Sequence, residues 1–297
     1  MKKMTKFFAL ALLAGAMVSC STDDTTPSTQ NSKVAVQFNG GINVSSRAVD
    51  ANWTANDRIG IFMIGANDVL SADAIKEAVD NVCYQTDGSN AFSPISGGKT
   101  VYFPIDGDVD FYSYYPQTTV NDYKVSLNVA DQNNQEAIDF MYATKKGCNK
   151  SVPQVTLNFS HQLSKLILDV QPGNGLTEED LDKLTIKVKD QNSTATYNLV
   201  DGLISNEGTP TDITLKRTVA GKKYEAILLP TTEEKRVLEF DLNNGYDAPF
   251  VWTMSVKLEG GSKYHYTKVK LSRTAAEASG TIEPWNEVKD DNEHVAK

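Results

Sequence analysis

Residue types that carry out catalysis or bind metals are scarce in this sequence. It has three histidines, His161, His265 and His294, and three cysteines among 297 residues. No HExxH, CxxC or GxSxG motif is present, and no nucleophile or set of metal ligands is spaced around His161. We therefore expect no enzyme, no metal site and no cofactor.

Long apolar runs are also missing. The run at residues 7–18 has 12 residues, whereas a bilayer span takes about 20. It follows three lysines and ends in "VSC", which resembles the lipobox of a lipoprotein signal peptide. We predict a signal peptide at 1–19 and lipidation of Cys20. The alternative is ordinary cleavage near Ala16, which would leave Cys20 a bystander.

Positive charge is in short supply. The formal net charge is −9, and loss of the three lysines in the signal peptide takes it to −12. A chain this acidic is a poor binder of nucleic acid and of anionic lipid. We therefore expect the lipid on Cys20 to hold it at the membrane. Residues 20–32 have almost no apolar side chain and predict a disordered tether.

Few cysteines are left for a disulfide once Cys20 carries lipid. A bond between Cys83 and Cys148 would close a loop of about 65 residues and contribute roughly 4 kcal/mol in the chain-entropy description. Nothing in the spacing enforces a pair, so we favour two buried free thiols.

Short alternating patterns, in contrast, run through the whole chain. They predict strands at 58–65, 99–104, 108–116, 155–159, 184–190, 249–258 and 264–271. The "GGS" turn before the last of these predicts a hairpin with the strand before it. Helical spacing is confined to residues 71–82, behind a Ser71 cap, and to one or two turns after Thr177. We predict an all-β fold of β-sandwiches.

The first alternating pattern precedes a polar loop. Its apolar positions are Val34, Val36, Phe38, Ile42 and Val44, with Gly40 in the same register and mostly polar residues between them. Alternate side chains of a strand share a face, so this segment has an apolar face that needs a groove. The following "SSRAV" is small and polar and predicts a surface loop around Arg47.

Three further motifs each allow two interpretations. Asp106, Asp108 and Asp110 could bind calcium, but the glycine and glutamate that complete a calcium loop are missing, and a solvated strand entrance explains them better. His161 fits a packed or capping histidine better than a catalyst. The tyrosines of "FYSYYP", residues 111–116, suit either sugar stacking or a strand of a sandwich.

Five segments in a fixed order behind the lipobox carry a family resemblance. They are "SRAV…W.AND.IGIFM", "VDFYSYYP", "IDFMYA", "VTLNFSHQLSKL" and the closing "GTIEPW". Together they resemble the fimbrillin family of Bacteroidales, the type V pilins that include fimbrillin A-like and Mfa-like proteins. The resemblance covers nearly the whole mature chain.

The resemblance implies a fold of two transthyretin-like β-sandwich domains in tandem. The polar segment 145–154 offers the best boundary. We therefore predict an N-terminal sandwich at 33–150, with a removable first strand, and a C-terminal sandwich at 151–297 with a short charged tail.

The resemblance also implies a route of assembly. Such subunits are exported as lipoproteins to the surface of the outer membrane and join a fimbrium after cleavage. An arginine-specific protease cuts after the first strand, and a donor strand from another fimbrial subunit takes its place. The matching bond here joins Arg47 to Ala48, so the displaceable strand is the one from Val34 to Val44. Asp23 and Asp24 resemble the surface-export signal of Bacteroidetes lipoproteins.

The tail after Trp285 departs from the stalk subunits of that family, which also donate a strand. Its apolar residues are Val288, Val295 and Ala296, set among charged residues and a histidine. Such a tail fills an apolar groove poorly, so we expect a tip or accessory subunit that serves adhesion. The alternative is a surface lipoprotein that never polymerises and binds glycan or host protein.

Replacement of Cys20 tests the membrane anchor. We expect Cys20→Ala to abolish labelling by a palmitate analogue and partition into membranes, because the acyl chains attach to this thiol. Cys83→Ala, the matched control, keeps both. A Cys20→Ala chain that still labels would place the anchor elsewhere.

Overall fold

The structure is a computed structural model that describes residues 33–43, 52–273 and, as backbone, 275–284. Its first strands are β1 (Gln37–Ile42), β2 (Arg58–Gly65), β3 (Val82–Thr86), β4 (Ala91–Pro94), β5 (Val109–Tyr115), β6 (Lys124–Asn128), β7 (Met141–Cys148), β8 (Gln154–His161) and β9 (Ser164–Pro172). The others are β10 (Thr185–Gln191), β11 (Thr194–Asn198), β12 (Ile204–Glu207), β13 (Thr211–Thr214), β14 (Lys216–Val219), β15 (Lys223–Leu228), β16 (Lys235–Asp241), β17 (Phe250–Ser255), β18 (Ser262–Ser272) and β19 (Ala275–Pro284). Short 3-10 helices cover Ala72–Ala74 and Glu179–Leu181. Among these residues no helix has the length and apolar character to cross a membrane.

The strands of the described residues form four sheets. Seven of them close into a barrel in the order β1-β4-β3-β2-β5-β7-β8, and the pairing of β8 with β1 completes the circle. The other sheets are β13-β10-β16-β17, β14-β15-β9-β18-β19 and the small β12-β11-β6. The structure thus confirms the predicted all-β fold, with a barrel as its first sheet.

Two apolar cores share the wall made by β2 and β5. Ile59, Ile61 and Met63 of β2 point into the barrel core, which is built from residues between 34 and 159. Phe62 and Ile64 point the other way, into the second core. A strand covered on both faces needs apolar residues at successive positions, which explains the unbroken "IGIFMI" of β2.

The second core lies between a four-stranded and a five-stranded sheet. Trp252 of β17 meets Tyr266 of β18 edge to face, with ring centroids 4.9 Å apart. Leu168 of β9 and Phe240 of β16 are fully buried in the same core. This pair of sheets has the layered arrangement of a sandwich.

Most of the predicted strands are present. The strands predicted at 58–65, 108–116, 155–159, 184–190, 249–258 and 264–271 appear as β2, β5, β8, β10, β17 and β18. The segment 99–104 differs, because it forms one isolated bridge, between Tyr102 and Ala35. Its hydrogen bonds to Val34 and Val36 span too few residues for a full strand.

The helix predicted at 71–82 is wrong beyond its first turn. Glu77 and Ala78 have φ angles of 49° and 52°, which a right-handed helix does not allow. The segment serves β2 instead: Lys76 N–H donates to Met63 O, and Met63 N–H donates to Val79 O. Val79, one of the apolar residues whose spacing indicated a helix, lies in the barrel core.

The predicted hairpin between β17 and β18 is also wrong, because the two strands lie in different sheets. The Gly260-Gly261 turn docks on the link between β8 and β9. Gly261 N–H donates to Leu163 O at 2.8 Å, and a Cβ on Gly260 would lie 2.6 Å from Gln162 O. The glycines thus allow close backbone contact while the chain crosses between sheets.

The short turn after Thr177 is confirmed as the 3-10 helix Glu179–Leu181, and the Thr177 hydroxyl donates to Asp180 Oδ2 at 2.8 Å. The predicted boundary segment at 145–154 covers the second half of β7, the turn after it and the first residue of β8, and these two strands pair in the barrel. The division at residue 150 and the transthyretin-like topology stay predictions.

A buried glutamine replaces a missing strand partner in the second core. Gln132 Nε2 donates to Val129 O and Ile227 O, and Gln132 Oε1 accepts the N–H of Ile227 at 2.8 Å. We expect Gln132→Ala to lower the free energy of unfolding by about 2–4 kcal/mol in urea titrations, because the Ile227 amide is left buried and unpaired. Asn133→Ala, an exposed control, should change it by less than about 0.5 kcal/mol. Equal unfolding midpoints for the two variants would contradict this assignment.

Candidate functional site

Strand β1 lies in a groove that we call the β1 seat, formed by β4, β8 and residues 101–103. It runs parallel to β8 over six residue pairs, from Gln37–Gln154 to Ile42–Phe159. On its other side it runs antiparallel to β4, at Phe38–Phe92 and Asn39–Ala91. The strand is therefore bonded along both edges, although it is the first strand of the described chain.

Backbone hydrogen bonds extend this contact beyond both ends of β1. Val36 N–H donates to Val101 O, and Phe103 N–H donates to Val34 O, each at 2.9 Å. At the other end Asn43 N–H donates to Phe159 O at 2.7 Å. These bonds use main-chain atoms, so they hold an extended chain of almost any sequence.

Two side chains of the segment held in the β1 seat, one just before β1 and one within it, enter the barrel core. Val36 and Phe38 are buried, and Phe38 is 2% exposed. The Phe38 ring meets Tyr84 and Phe111 edge to face, with centroids 5.2 and 5.1 Å away. Val34 and Ile42 are half-buried against the same core. Full burial of one such side chain is worth about 1.5–3 kcal/mol.

A tryptophan from outside the strand covers β1 at Gly40. Trp53 Nε1 donates to Gly40 O at 2.8 Å in a buried contact. The indole also packs edge to face on Phe92, Tyr115 and Phe159, with centroids 5.0, 5.4 and 5.3 Å away. The space above Gly40 is thus filled by aromatic rings that pack against one another.

Trp53 belongs to the family pattern, but its place in the sequence does not connect it with Gly40. One signal was available, because a glycine in the apolar register of a strand often marks a close approach by another group. The structure identifies that group as the Trp53–Phe92 pair.

Several predicted site residues lie outside the described part of the chain. They are the lipidation site Cys20, the cleavage pair Arg47 and Ala48, and Val44, the last apolar position of the displaceable strand. Their roles stay predictions.

A cleft of about 510 Å³ opens beside the C-terminal end of β1. Ile42 and Trp53 line it from the barrel, and Lys165, Lys216 and Glu225 line it from the sheet of β9, β14 and β15. The strand held in the β1 seat therefore contributes Ile42 to the lining of the cleft.

Paired polar groups line the cleft. His161 Nδ1 lies 2.9 Å from Asp139 Oδ1, and Lys165 Nζ lies 3.4 Å from Glu225 Oε2. The Tyr115 hydroxyl donates to Asp57 Oδ1 at 2.9 Å, and burial together with that carboxylate raises the pKa of Tyr115. Groups arranged in this way offer their remaining hydrogen-bonding atoms to a polar ligand.

The three aspartates considered for calcium do not converge. Asp110 is buried in β5 and accepts the N–H groups of Asn67 and Gly147. Asp108 accepts the amide of Asn149. Within residues 33–43 and 52–273 no cluster of three or more acidic, histidine or cysteine side chains could hold a metal.

The remaining candidates have structural roles. Cys83 and Cys148 are free thiols, as we favoured, but only Cys148 is buried and Cys83 is half-buried. Burial raises the pKa of each thiol. Tyr112, Tyr114 and Tyr115 are buried, so they pack in the cores rather than present faces to a sugar.

Comparison with known proteins finds relatives along nearly the whole chain. A Bacteroides uniformis protein provisionally named fimbrium subunit Fim1C is 33% identical over 293 residues, which cover 93% of each chain. A crystal structure of a provisionally assigned cell adhesion protein from Bacteroides uniformis has a TM-score of 0.73 and 32% identity, covering 85% of this chain and 99% of its own. A similarly assigned protein from Bacteroides ovatus has a TM-score of 0.68 and 25% identity, covering 87% and 100%.

Residues 46–285 match the fimbrillin-like family, a span that covers β2 to β19 and begins just after β1. The match extends over more than half of the chain and agrees with the relatives named above. This chain therefore belongs to the fimbrillin-like family.

Proposed function

We propose that this chain is a structural subunit of a surface fimbria, at the tip or in an accessory position, that serves adhesion and is assembled by protease-triggered strand exchange. Family membership and the provisional name of its Bacteroides uniformis relative support the fimbrial role. The β1 seat supports the exchange step.

The observation that carries the proposal is the way β1 is held. Its hydrogen-bonded neighbours are β4 and β8, whereas β2, the next strand in sequence, pairs with β3 and β5. A cut between β1 and β2 would therefore break no hairpin. Strands lie about 4.8 Å apart, so loss of β1 would leave a gap one strand wide between β4 and β8.

Arg47 is the arginine best suited to a maturation cut. The chain has four others, Arg58, Arg217, Arg236 and Arg273. The first three lie in β2, β14 and β16, and Arg273 donates hydrogen bonds to Asp247 and Gly175. A protease needs an extended, accessible backbone, and the small residue types beside Arg47 in the sequence, Ser45, Ser46 and Ala48, favour one.

The order of features along the chain links cleavage to release. Cys20 precedes Arg47, so a cut after Arg47 separates the folded body from its lipid at the outer membrane. The same cut frees β1 to leave. The partners of this route are an arginine-specific protease and another fimbrial subunit that supplies a strand.

Refilling of the emptied seat is favourable. Loss of β1 exposes the barrel core around Tyr84 and Phe111 and the unpaired edges of β4 and β8. Burial of apolar surface contributes roughly 25 cal/mol per Å², and an added strand restores the backbone hydrogen bonds as well.

The composition of residues 286–297 supports a tip or accessory position. Val288, Val295 and Ala296 are their apolar members. A segment with so few apolar side chains matches poorly the pattern of the segment held in the β1 seat, which buries Val36 and Phe38. Residues 286–297 would thus make a poor donor strand.

A second candidate function rests on the cleft beside β1. In this alternative the chain is a surface lipoprotein that does not polymerise and that binds glycan or host protein through the paired polar groups of the cleft. A single lipidated, uncut species on cells would favour it.

Cleavage at Arg47 gives the direct test of maturation. We expect an arginine-specific protease acting on the folded chain without its signal peptide to give an early product that begins at Ala48, read by mass spectrometry. Arg47→Ala should not give this product, because the arginine before the cut is gone. It should give no other early product, because the other arginines are held by strands or hydrogen bonds.

Arg47→Lys is the matched control. It should resist the arginine-specific enzyme and still be cut early by trypsin at residue 47, which separates accessibility from residue preference. Early cutting at Arg273 or Arg217 while Arg47 stays intact would contradict the proposal.

A further inference from the structure

The β1 seat restricts the residue type at some positions of the strand that it holds and not at others. Main-chain hydrogen bonds run along residues 34–43, and strands of most sequences can form them. At two positions, 38 and 40, the surroundings are rigid and restrict which side chain the strand can carry. These positions determine which strands fit.

Position 38 takes an aromatic ring. Phe38 lies nearly perpendicular to both Tyr84 and Phe111, with interplanar angles of 82° and 89°. Tyr84 is fixed in turn, because its hydroxyl accepts the N–H of Val101 at 2.8 Å. A smaller side chain would lose the edge contacts and leave a cavity in the barrel core.

Position 40 excludes every side chain. A Cβ at Gly40 would lie 2.6 Å from Phe92 Cε2 and 3.3 Å from Trp53 Cζ2. Phe92 is 6% exposed and Trp53 is 5% exposed, so neither ring has free space to move into. Trp53 is also held by its hydrogen bond to Gly40 O.

Position 41, the neighbouring glycine, differs. A Cβ there would lie 3.2 Å from Asn158 Oδ1, the end of an exposed side chain that can turn away. Alanine at 40 and alanine at 41 are therefore a matched pair, with the same change in composition and in unfolded-chain entropy.

We propose that the β1 seat selects incoming strands by an aromatic-x-glycine pattern, with an aromatic residue at the position of Phe38 and glycine at that of Gly40. Trp53 and Phe92 lie after Arg47 in sequence and stay with the body, so they meet any strand that replaces β1. A shift of the strand by two residues would bring a side chain under Trp53, so the pattern also fixes the register. The occupant is an extended segment of another subunit, and this inference rests on the proposed strand exchange.

Peptide uptake tests the selection. Fluorescent peptides of residues 33–44, unchanged or with G40A, G41A or F38A, are added to the chain cut after Arg47, and bound label is measured after gel filtration. We expect the unchanged and G41A peptides to bind alike. The G40A peptide should bind about tenfold or more weakly because of the clash with Phe92, and the F38A peptide should also bind weakly.

A variant of the seat provides the rescue. Phe92→Ala removes the ring that meets the Cβ at position 40, so the cut Phe92→Ala body should bind the unchanged and G40A peptides within about threefold of each other. In the intact chain, Gly40→Ala should lower the melting temperature more than Gly41→Ala does, which reads the same clash without any exchange.

The outcomes separate the two ideas. If the unchanged peptide binds and G40A binds equally well, the selection rule is wrong and strand exchange stands. If no peptide binds to a body that has lost its own strand, strand exchange is wrong and the rule fails with it. Equal melting temperatures for the intact Gly40→Ala and Gly41→Ala chains would overturn the steric argument directly.

Discussion

Closure of the barrel by β1 is the constraint on which the rest of the structure depends. This strand bonds to β8 along one edge and to β4 along the other, and it brings Phe38 into the middle of the barrel core. Without it, seven strands that form a closed sheet become six with two open edges. The first strand of the described chain thus completes a core built almost wholly from strands that follow it.

Two kinds of contact hold β1 in place. Main-chain hydrogen bonds provide attachment that is indifferent to sequence, and the rings around Phe38 and Gly40 provide fit. The same strand also reaches the polar cleft, where Ile42 is one of the lining residues.

Much of the fold follows from local patterns, and the failures have physical causes. The alternation at β8 and β10 and the apolar run of β2 predicted those strands closely, because burial of a strand face determines its pattern. The helix prediction at residues 71–82 failed because the backbone of this segment bonds to β2, and that contact is what buries Val79. The prediction of a hairpin between β17 and β18 failed because the glycines of the turn allow the chain to cross from one sheet to another. Pairing of Trp53 with Gly40 depends on tertiary packing, which local spacing does not encode.

Hydrogen–deuterium exchange at the amides of β4 and β8 tests the central claim, that β1 is a replaceable strand, most directly. The chain cut after Arg47 is measured with its fragment bound, after the fragment dissociates, and after a strand peptide is added. The account predicts that protection in β8 and β4 falls when the fragment leaves and returns with the peptide, while β10 and β16 of the second core stay protected throughout. Loss of protection in β10 and β16 together with β8, or no recovery on addition of the peptide, would contradict it.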